Sequence, residues 1–176
     1  MTVEIPANKI LLEIVTPKGR ALHAICDEVT APSAGGEFGV LPGHLPVLAA
    51  VRTGIVTYRQ GSDTKKCAVG TGFVEAGPNQ LLLLTDEFTE RDAIDPVVVR
   101  KALAEVEVQI ARMETSPLAS QRPDYAEEKK ALIERENWLA AQLELYGDPP
   151  PATMRPYEEF GPPAPADEEE TQASEE

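Results

Sequence analysis

The segment Gly36-Glu-Phe-Gly-Val-Leu-Pro-Gly-His-Leu-Pro-Val-Leu48 decides how the first half of this chain can fold. It combines three glycines, two prolines, one carboxylate and one imidazole within 13 residues. Glycine and proline at this density predict a tight, pre-organised loop that holds Glu37 and His44 near the surface, beside apolar side chains. The alternative is a turn-dense connector in which His44 satisfies only a local backbone group.

Short strand patterns lie on both sides of this segment, up to residue 90. The strand-like runs span residues 9–15, 21–30, 54–60, 65–69, 72–76 and 80–85. Turn signals rich in glycine, proline, asparagine and serine separate them, for example Thr16-Pro-Lys-Gly19 and Gly77-Pro-Asn79. Many short strands with close turns predict an antiparallel β-sandwich or flattened barrel over residues 1–90.

The apolar pattern changes period after residue 90 and predicts two helices. Asp95-Pro96 is a helix start, with the carboxylate as N-cap and proline at the first helical position. A second start at Asp124 forms a capping box with Glu127, and Gly147 predicts the end of that helix. The expected apolar stripes are Val99, Leu103, Val106, Ile110 and Met113, then Tyr125, Leu132, Leu139, Leu143 and Tyr146. Residues 91–147 therefore form a predicted antiparallel two-helix hairpin.

The width of these stripes bears on how firmly the hairpin is held. Each stripe offers about five apolar side chains, each worth roughly 1.5–3 kcal/mol on full burial before ordering costs. Isolated helices of this length are marginal in water without packing partners. The hairpin is therefore expected to dock weakly on the β-domain or to prefer another protein. The alternative is a hairpin packed permanently against the sandwich.

Residues 148–176 differ in composition from the rest of the chain. They contain nine acidic residues and one base, Arg155, for a net charge of −8, and seven of the 16 prolines. Such a segment cannot bury enough apolar surface to offset its ordering entropy, so it predicts a disordered tail. Solvation is the favoured role, and short-motif binding around Met154, Tyr157 and Phe160 is the alternative.

Charge, hydropathy and cysteine content exclude several classes of protein. A net charge of −14 over 176 residues argues against binding along a phosphate backbone. Apolar runs such as Leu81–Leu84 are far below the ~18 residues of a membrane span, and the first residues show no secretory signal. Two cysteines form no disulfide framework. These features predict a soluble, cytoplasmic protein.

Candidate catalytic and metal-binding patterns are weak throughout the sequence. His23 and Cys26 would point to opposite faces of a strand, because their separation is odd. The run Gly70-Thr-Gly-Phe-Val-Glu-Ala-Gly77 only faintly echoes a dinucleotide fingerprint, since no helix start follows it. We therefore expect no catalytic residues, no bound metal and no cofactor.

The segment from Gly36 to Leu48 resembles the signature of the epsilon subunit of F-type ATP synthases. Other parts match in order. Residues 12–17 resemble the family's first strand, 54–56 and 70–76 resemble later strands, and 124–126 resemble the start of the second C-terminal helix. The resemblance covers roughly residues 9–145 and implies a β-sandwich followed by a helical hairpin.

The resemblance implies a non-catalytic rotor subunit in the central stalk. Such a subunit couples proton transport through the c-ring to ATP synthesis, and its C-terminal helices restrain ATP hydrolysis. The implied partners are the gamma subunit and the c-ring, with transient contact to the alpha and beta catalytic subunits. The implied location is the cytoplasmic face of the inner (plasma) membrane, peripheral and through the complex.

The resemblance also implies two sets of partner-binding residues. The c-ring-facing set is Glu37, Phe38, Leu41, Pro42 and His44. The set that would face the catalytic subunits is Arg112, Arg122, Lys129, Lys130 and Arg135. For this second set the alternative is a solvated helix face, in which the bases pair with Glu127, Glu128 and Glu134.

Two departures from the family pattern limit what the resemblance implies. Members that bind ATP on the hairpin show Ile/Leu-Asp-x-x-Arg-Ala, whereas Ile94 and Asp95 are followed by Arg100, two positions late. That delay turns the guanidinium by about 200° around the helix, so ATP binding is not expected. The acidic tail is the second departure. Two other hypotheses remain: a free-standing β-sandwich adapter, and an enzyme whose site is built by the fold.

Overall fold

The computed structural model describes residues 5–115 and 122–148. The first five strands are β1 (Ile10–Thr16), β2 (Gly19–Cys26), β3 (Glu28–Ser33), β4 (Gly36–Val40) and β5 (Val47–Val51). They are followed by β6 (Gly54–Gln60), β7 (Asp63–Val69), β8 (Gly72–Ala76), β9 (Gln80–Thr85) and β10 (Phe88–Glu90). A 3₁₀ turn (Arg91–Ala93) leads into the helices α1 (Pro96–Thr115) and α2 (Tyr125–Tyr146).

The strands form a sandwich whose two layers belong to one continuous hydrogen-bonded sheet. That order is β10-β7-β6-β3-β5-β8-β9-β1-β2, with β4 paired to β3. Only the Ser33–Val51 pair joins β3 to β5, which is where the sheet turns from one layer to the other. Ile10, Leu12 and Ile14 of β1 alternate inward and are fully buried. The predicted sandwich is confirmed, although β1 and β9 pair in parallel.

Two of the expected local assignments in the β-domain were wrong. The strand expected over residues 21–30 is divided at Asp27 into β2 and β3. The Asp27 carboxylate accepts hydrogen bonds from Lys9 Nζ and from the Gly61 amide, the latter at 2.7 Å. The segment from Gly36 to Leu48 is not one loop, because β4 and the start of β5 occupy most of it. In β4 the side chains alternate between solvent and core, which the glycines conceal in the sequence.

Helix α1 has the predicted start and the predicted buried stripe. The Asp95 carboxylate accepts hydrogen bonds from the amides of Val97 and Val98, at 3.0 and 3.3 Å, so Asp95 is the N-cap. Its buried residues are Val99, Leu103, Val106 and Ile110, and Met113 is half-buried. The run Thr115-Ser-Pro117 in the sequence predicts the end of this helix, and Ser116 and Pro117 lie outside the described residues.

Helix α2 is buried on more of its surface than a single stripe allows, so that prediction was partly wrong. Its buried residues are Ile133, Glu136, Trp138, Leu139, Ala140, Ala141, Leu143 and Leu145. From the expected stripe, Leu139 and Leu143 are buried, whereas Tyr125 and Leu132 are only half-buried and Tyr146 is exposed. The reason is that α2 packs against α1 on one side and against β6 and β7 on another.

The two ends of α2 differ in how they are capped. The expected capping box is absent, because the Asp124 carboxylate receives hydrogen bonds from the Arg122 guanidinium at 2.8 and 3.2 Å and caps no amide. At the other end Gly147 has φ +101°, and its amide donates to the carbonyls of Leu143 and Glu144. A left-handed glycine in this position is the usual helix stop, so the predicted end is confirmed.

The hairpin lies folded on the outer side of the β6–β7 pair. Ala68 and the half-buried Ile55 of that pair join the apolar cluster that the two helices form, together with Ile94 from the connection. Most of this cluster comes from the helices themselves, so the apolar contact that attaches the hairpin to the sheet is small. Across the described residues, neither helix is long and apolar enough to cross a membrane.

Candidate partner-binding surfaces

The turn between β4 and β5 is tied to the rest of the sandwich by backbone hydrogen bonds. The His44 amide donates to the Leu41 carbonyl at 3.0 Å, and the Gly43 amide donates to the Pro78 carbonyl at 2.6 Å. Gly43 has φ +86°, a conformation that favours glycine. The turn is therefore held rigidly, and it leaves Leu41 and Leu45 exposed at 53% and 80%.

The expected c-ring-facing residues divide between this turn and β4. Glu37 is exposed near the start of β4, whereas Phe38 points the other way and packs against the sandwich core. From Glu37 to Leu41 is four residues of strand, or about 13 Å at ~3.3 Å per residue. Glu37 is thus separated along β4 from the start of the turn that contains His44. The His44 Nδ1 atom lies 2.7 Å from the Leu45 carbonyl, which is the local backbone contact that the alternative interpretation expected.

An exposed apolar face covers the outer side of β5, β8 and β9. Leu48, Phe73 and Leu84 are 73%, 60% and 48% exposed. Phe73 pairs with Leu84 on one side and with Ala50 on the other, so these three side chains stand in one cross-strand row. Leu48 stands in the next row, opposite the exposed Glu75. Sequence reasoning missed this face, although four leucines in a row at 81–84 must turn about half of their side chains outward on a strand.

An open cleft of about 630 Å³ begins at one end of this face and runs toward α2. Its charged lining comes from both parts of the fold: Arg52 and Asp86 from the sandwich, and Lys130 and Glu134 from α2. Within the described residues, no group of three or more histidine, cysteine, aspartate or glutamate side chains is placed to hold a metal ion.

The basic residues expected to face the catalytic subunits lie along the hairpin, mostly beside acidic ones. Arg122 pairs with Asp124 and with Glu128 at 2.8 and 2.9 Å, and the aspartate partner raises the pKa of its guanidinium. Lys130 lies 3.9 Å from Glu134, and Lys129 lies 3.4 Å from Glu114. Arg112 and Arg135 are exposed.

The residues of the incomplete ATP motif have structural roles. Ile94 is buried in the hairpin cluster, and Asp95 caps α1. Arg100 forms an ion pair with Asp148, just beyond the end of α2. The guanidinium is thereby held at the end of the hairpin by a residue of this chain.

The weak catalytic candidates are explained by packing. Cys26 is buried while His23 is exposed, so the two diverge as expected. Burial, followed by the nearby Asp27 charge, raises the pKa of Cys26 to about 11, and burial chiefly raises that of Cys67 to about 12, which leaves both as unreactive thiols. A Cβ atom at Gly72 would collide with the Leu84 backbone, so that glycine permits close strand packing.

Comparison with known proteins agrees with this arrangement. Residues 9–91 match the family model for the β-sandwich domain of the ATP synthase delta/epsilon chain. Over 107 residues the chain is 38% identical to ATP synthase epsilon chain 2 of Syntrophotalea carbinolica, an alignment that covers 61% of this chain and 78% of that one. The chain belongs to the ATP synthase epsilon-chain family.

A second epsilon-chain relative gives the same result, and a solved structure shares the fold. The chain is 38% identical over 105 residues to the ATP synthase epsilon chain of Syntrophobacter fumaroxidans, covering 60% of this chain and 78% of that one. Its fold is similar to a chain in the cryo-EM structure of the Euglena gracilis mitochondrial ATP synthase, with a TM-score of 0.62 and 23% identity. That likeness covers 81% of this chain and 86% of the other, so the shared fold includes much of the described molecule.

Proposed function

We propose that this epsilon-family chain is a non-catalytic central-stalk subunit of an F-type ATP synthase. In that role it couples proton transport through the c-ring to ATP synthesis and restrains ATP hydrolysis through its C-terminal helices. The observation that supports this most directly is the exposed apolar face at Leu48, Phe73 and Leu84, on a sandwich of the epsilon family. Large exposed apolar side chains grouped in this way, with Glu75 beside them, favour a surface that binds another protein.

The gamma subunit is the partner that we propose for this face. Burial of three large apolar side chains contributes roughly 1.5–3 kcal/mol each before ordering costs. Because the face is formed by paired strands, its side chains are already positioned and little conformational entropy is lost on binding. The sandwich would then be the anchoring domain, residues 1–90.

We propose that the c-ring contacts the rigid turn after β4, with Leu41, Pro42 and His44, and the exposed Glu37 at the other end of that strand. The turn is held by the Gly43–Pro78 hydrogen bond, so it can transmit force without first becoming ordered. Phe38 supports this surface from inside the sandwich. This contact would hold the chain at the cytoplasmic face of the inner (plasma) membrane, as a peripheral component of the complex.

The hairpin, residues 91–147, is the proposed regulatory element. On the sheet side, Ala68 and Ile55 are the apolar residues that join the hairpin cluster, so we propose that the docked and undocked positions are close in free energy, which is what a switch requires. In the undocked position, Arg112, Arg122, Lys129, Lys130 and Arg135 would meet the catalytic subunits. ATP binding to the hairpin is not part of this proposal, since Arg100 is engaged by Asp148.

The test is a titration of an epsilon-depleted ATP synthase from the same organism with full-length variants, measuring both binding and ATP hydrolysis. We expect Phe73→Asp to weaken binding at least tenfold, because a carboxylate would be buried in an apolar contact. Val98→Asp is the matched control, since it places the same charge at a 61% exposed valine of α1. Arg112→Glu with Arg135→Glu should bind normally and inhibit hydrolysis less.

Each alternative outcome has a definite meaning. Equal binding by Phe73→Asp and Val98→Asp would show that gamma binds elsewhere on the chain. Normal inhibition by the double glutamate variant would remove those bases from the regulatory role. If the unmodified chain does not associate with the complex, the free-standing adapter is the better description.

A further inference from the structure

Helix α1 carries a second apolar stripe on the side that faces solvent. Val97 and Val108 are 76% and 49% exposed. Ala104, which lies between them, and Ala111, which follows Val108, are also exposed. At ~100° per residue these four side chains fall within about 60° of one another, roughly 140° away from the stripe that packs on α2. The buried stripe packs against α2, so this second stripe is open to another occupant.

Basic side chains border this outer stripe. Arg100, Lys101 and Arg112 lie within about 40° of its edges, and Glu107 is the acidic residue at a similar angle. An apolar strip with a net basic border matches a partner that combines apolar and acidic side chains.

The end of the hairpin brings the C-terminal part of the chain to this border. The Asp148 amide donates to the Leu143 carbonyl at 2.9 Å, and its carboxylate forms the ion pair with Arg100. The chain thus leaves the described structure beside the outer stripe. Met154 is six residues further on, a reach of up to about 20 Å at ~3.3–3.6 Å per residue. Arg100 and Val108 are about 12 Å apart along the helix, at ~1.5 Å per residue.

The segment after Asp148 contains both the apolar and the acidic side chains that would complement the outer stripe and its basic border. Its large apolar residues are Met154, Tyr157 and Phe160, spaced three residues apart, with Glu158 and Glu159 between the two aromatics. A conformation with three residues per turn, such as polyproline II, presents all three on one side. The glutamates would then lie against the basic border.

We propose that the segment from Met154 to Phe160 docks on the outer stripe of α1 in the same molecule. Met154 and Phe160, about 19 Å apart at ~3.1 Å per residue, reach the two valines, which are about 16.5 Å apart along the helix. Tyr157 lies between them over the alanines, and Glu158 and Glu159 pair with the bordering bases. Docking shields a helix face that is otherwise exposed and adds a contact within the hairpin, between α1 and the segment that follows α2. The proposal concerns the isolated chain and does not depend on the role in an ATP synthase.

The test measures how fast a thiol on the stripe reacts in the full-length chain. Ala104→Cys places a small side chain at the centre of the stripe, and its modification by a maleimide is followed by mass spectrometry. Cys26 and Cys67 contribute little background, because burial raises both pKa values and excludes the reagent. We expect the reaction to be at least fivefold slower than in the same protein carrying Met154→Ser, Tyr157→Ser and Phe160→Ser.

Two controls separate tail docking from a general change in reactivity or in folding. Ser62→Cys, in the turn between β6 and β7, should react at the same rate with either tail. Circular dichroism should show equal helix content for all variants. Equal rates at Ala104→Cys with both tails would overturn the proposal. Protection that persists with the triple-serine tail and increases with protein concentration would also overturn it, and would identify a second copy as the occupant.

Discussion

Asp27 illustrates how one side chain organises three parts of the sandwich. It separates β2 from β3, and its carboxylate accepts hydrogen bonds from Lys9 ahead of β1 and from the Gly61 amide in the turn after β6. The Lys9 hydrogen bond, followed by the Gly61 amide, holds the pKa of this carboxyl below its usual value. The ionised form is therefore the one that the folded state favours.

The lowered pKa of Asp27 makes the stability of the fold sensitive to acid. Because its folded-state pKa is lowered, its contribution to stability is complete above the usual carboxyl pKa and is lost as the pH falls through the lowered value. We expect Asp27→Asn to lower the melting temperature at pH 7 and to flatten the pH dependence of unfolding in the acid range. Thermal unfolding between pH 2 and 7 measures both.

Asp92→Asn is the control for Asp27→Asn, since it removes one exposed carboxylate from the 3₁₀ turn. It should leave the pH profile nearly unchanged. Identical profiles for the two variants would show that the hydrogen bonds of Asp27 contribute nothing beyond its charge.

The helices show how packing partners determine which residues of an element are buried. Helix α1 packs on one side and has a single buried stripe, as its sequence period indicates. Helix α2 is enclosed by α1 and by the β6–β7 pair, so residues on adjacent faces are buried, including Ala140 and Ala141. Small side chains at those positions permit close approach.

Neighbouring residues of α2 give a direct test of this two-sided packing. Ile133 is 3% exposed, whereas Leu132, which belongs to the stripe expected from sequence, is half-buried. We expect Ile133→Ala to reduce the free energy of unfolding by about 2–5 kcal/mol, the range for fully buried aliphatic residues. Leu132→Ala should cost less than half as much. Denaturant unfolding followed by helical circular dichroism measures both, and the reverse order would restore the single-stripe description.

At the scale of the whole molecule, the sandwich and the hairpin are two compact units joined by a small contact. The sandwich has its own core, and the hairpin has a separate cluster to which the sheet contributes Ala68 and Ile55. Two further ties, Arg91 Nε to the Tyr146 carbonyl at 3.3 Å and Arg100 to Asp148, connect the end of α2 to the base of the hairpin. The Arg91 guanidinium also lies over the Tyr146 ring.

Disrupting the small contact should release the hairpin and leave the sandwich intact. Ala68 is fully buried, so Ala68→Glu places an uncompensated carboxylate between β7 and α2. We expect amide hydrogen exchange in α2 to accelerate at least tenfold, while exchange in β1 and β9 stays slow. Leu48→Asp, on the exposed face of the other layer, is the control and should change neither. Equal acceleration throughout the chain would indicate that the two units unfold together.

Local patterns in the sequence determined most of the secondary structure of this protein. Alternating strands, the Asp95 cap, the buried stripe of α1 and the Gly147 stop depend on neighbouring residues along the chain, and the structure has each of them. The segment from Gly36 to Leu48 resembles the family signature, and its turn holds Gly43 at φ +86°, a conformation that favours glycine.

Only the tertiary structure decided which surfaces are covered. The second buried side of α2, the break at Asp27 and the apolar face at Phe73 and Leu84 arise from contacts between residues far apart in sequence. A leucine on a strand has the same local signal whether its outer side meets a helix, a partner or water. Burial depends on what packs against each element, and a one-dimensional pattern does not contain that information.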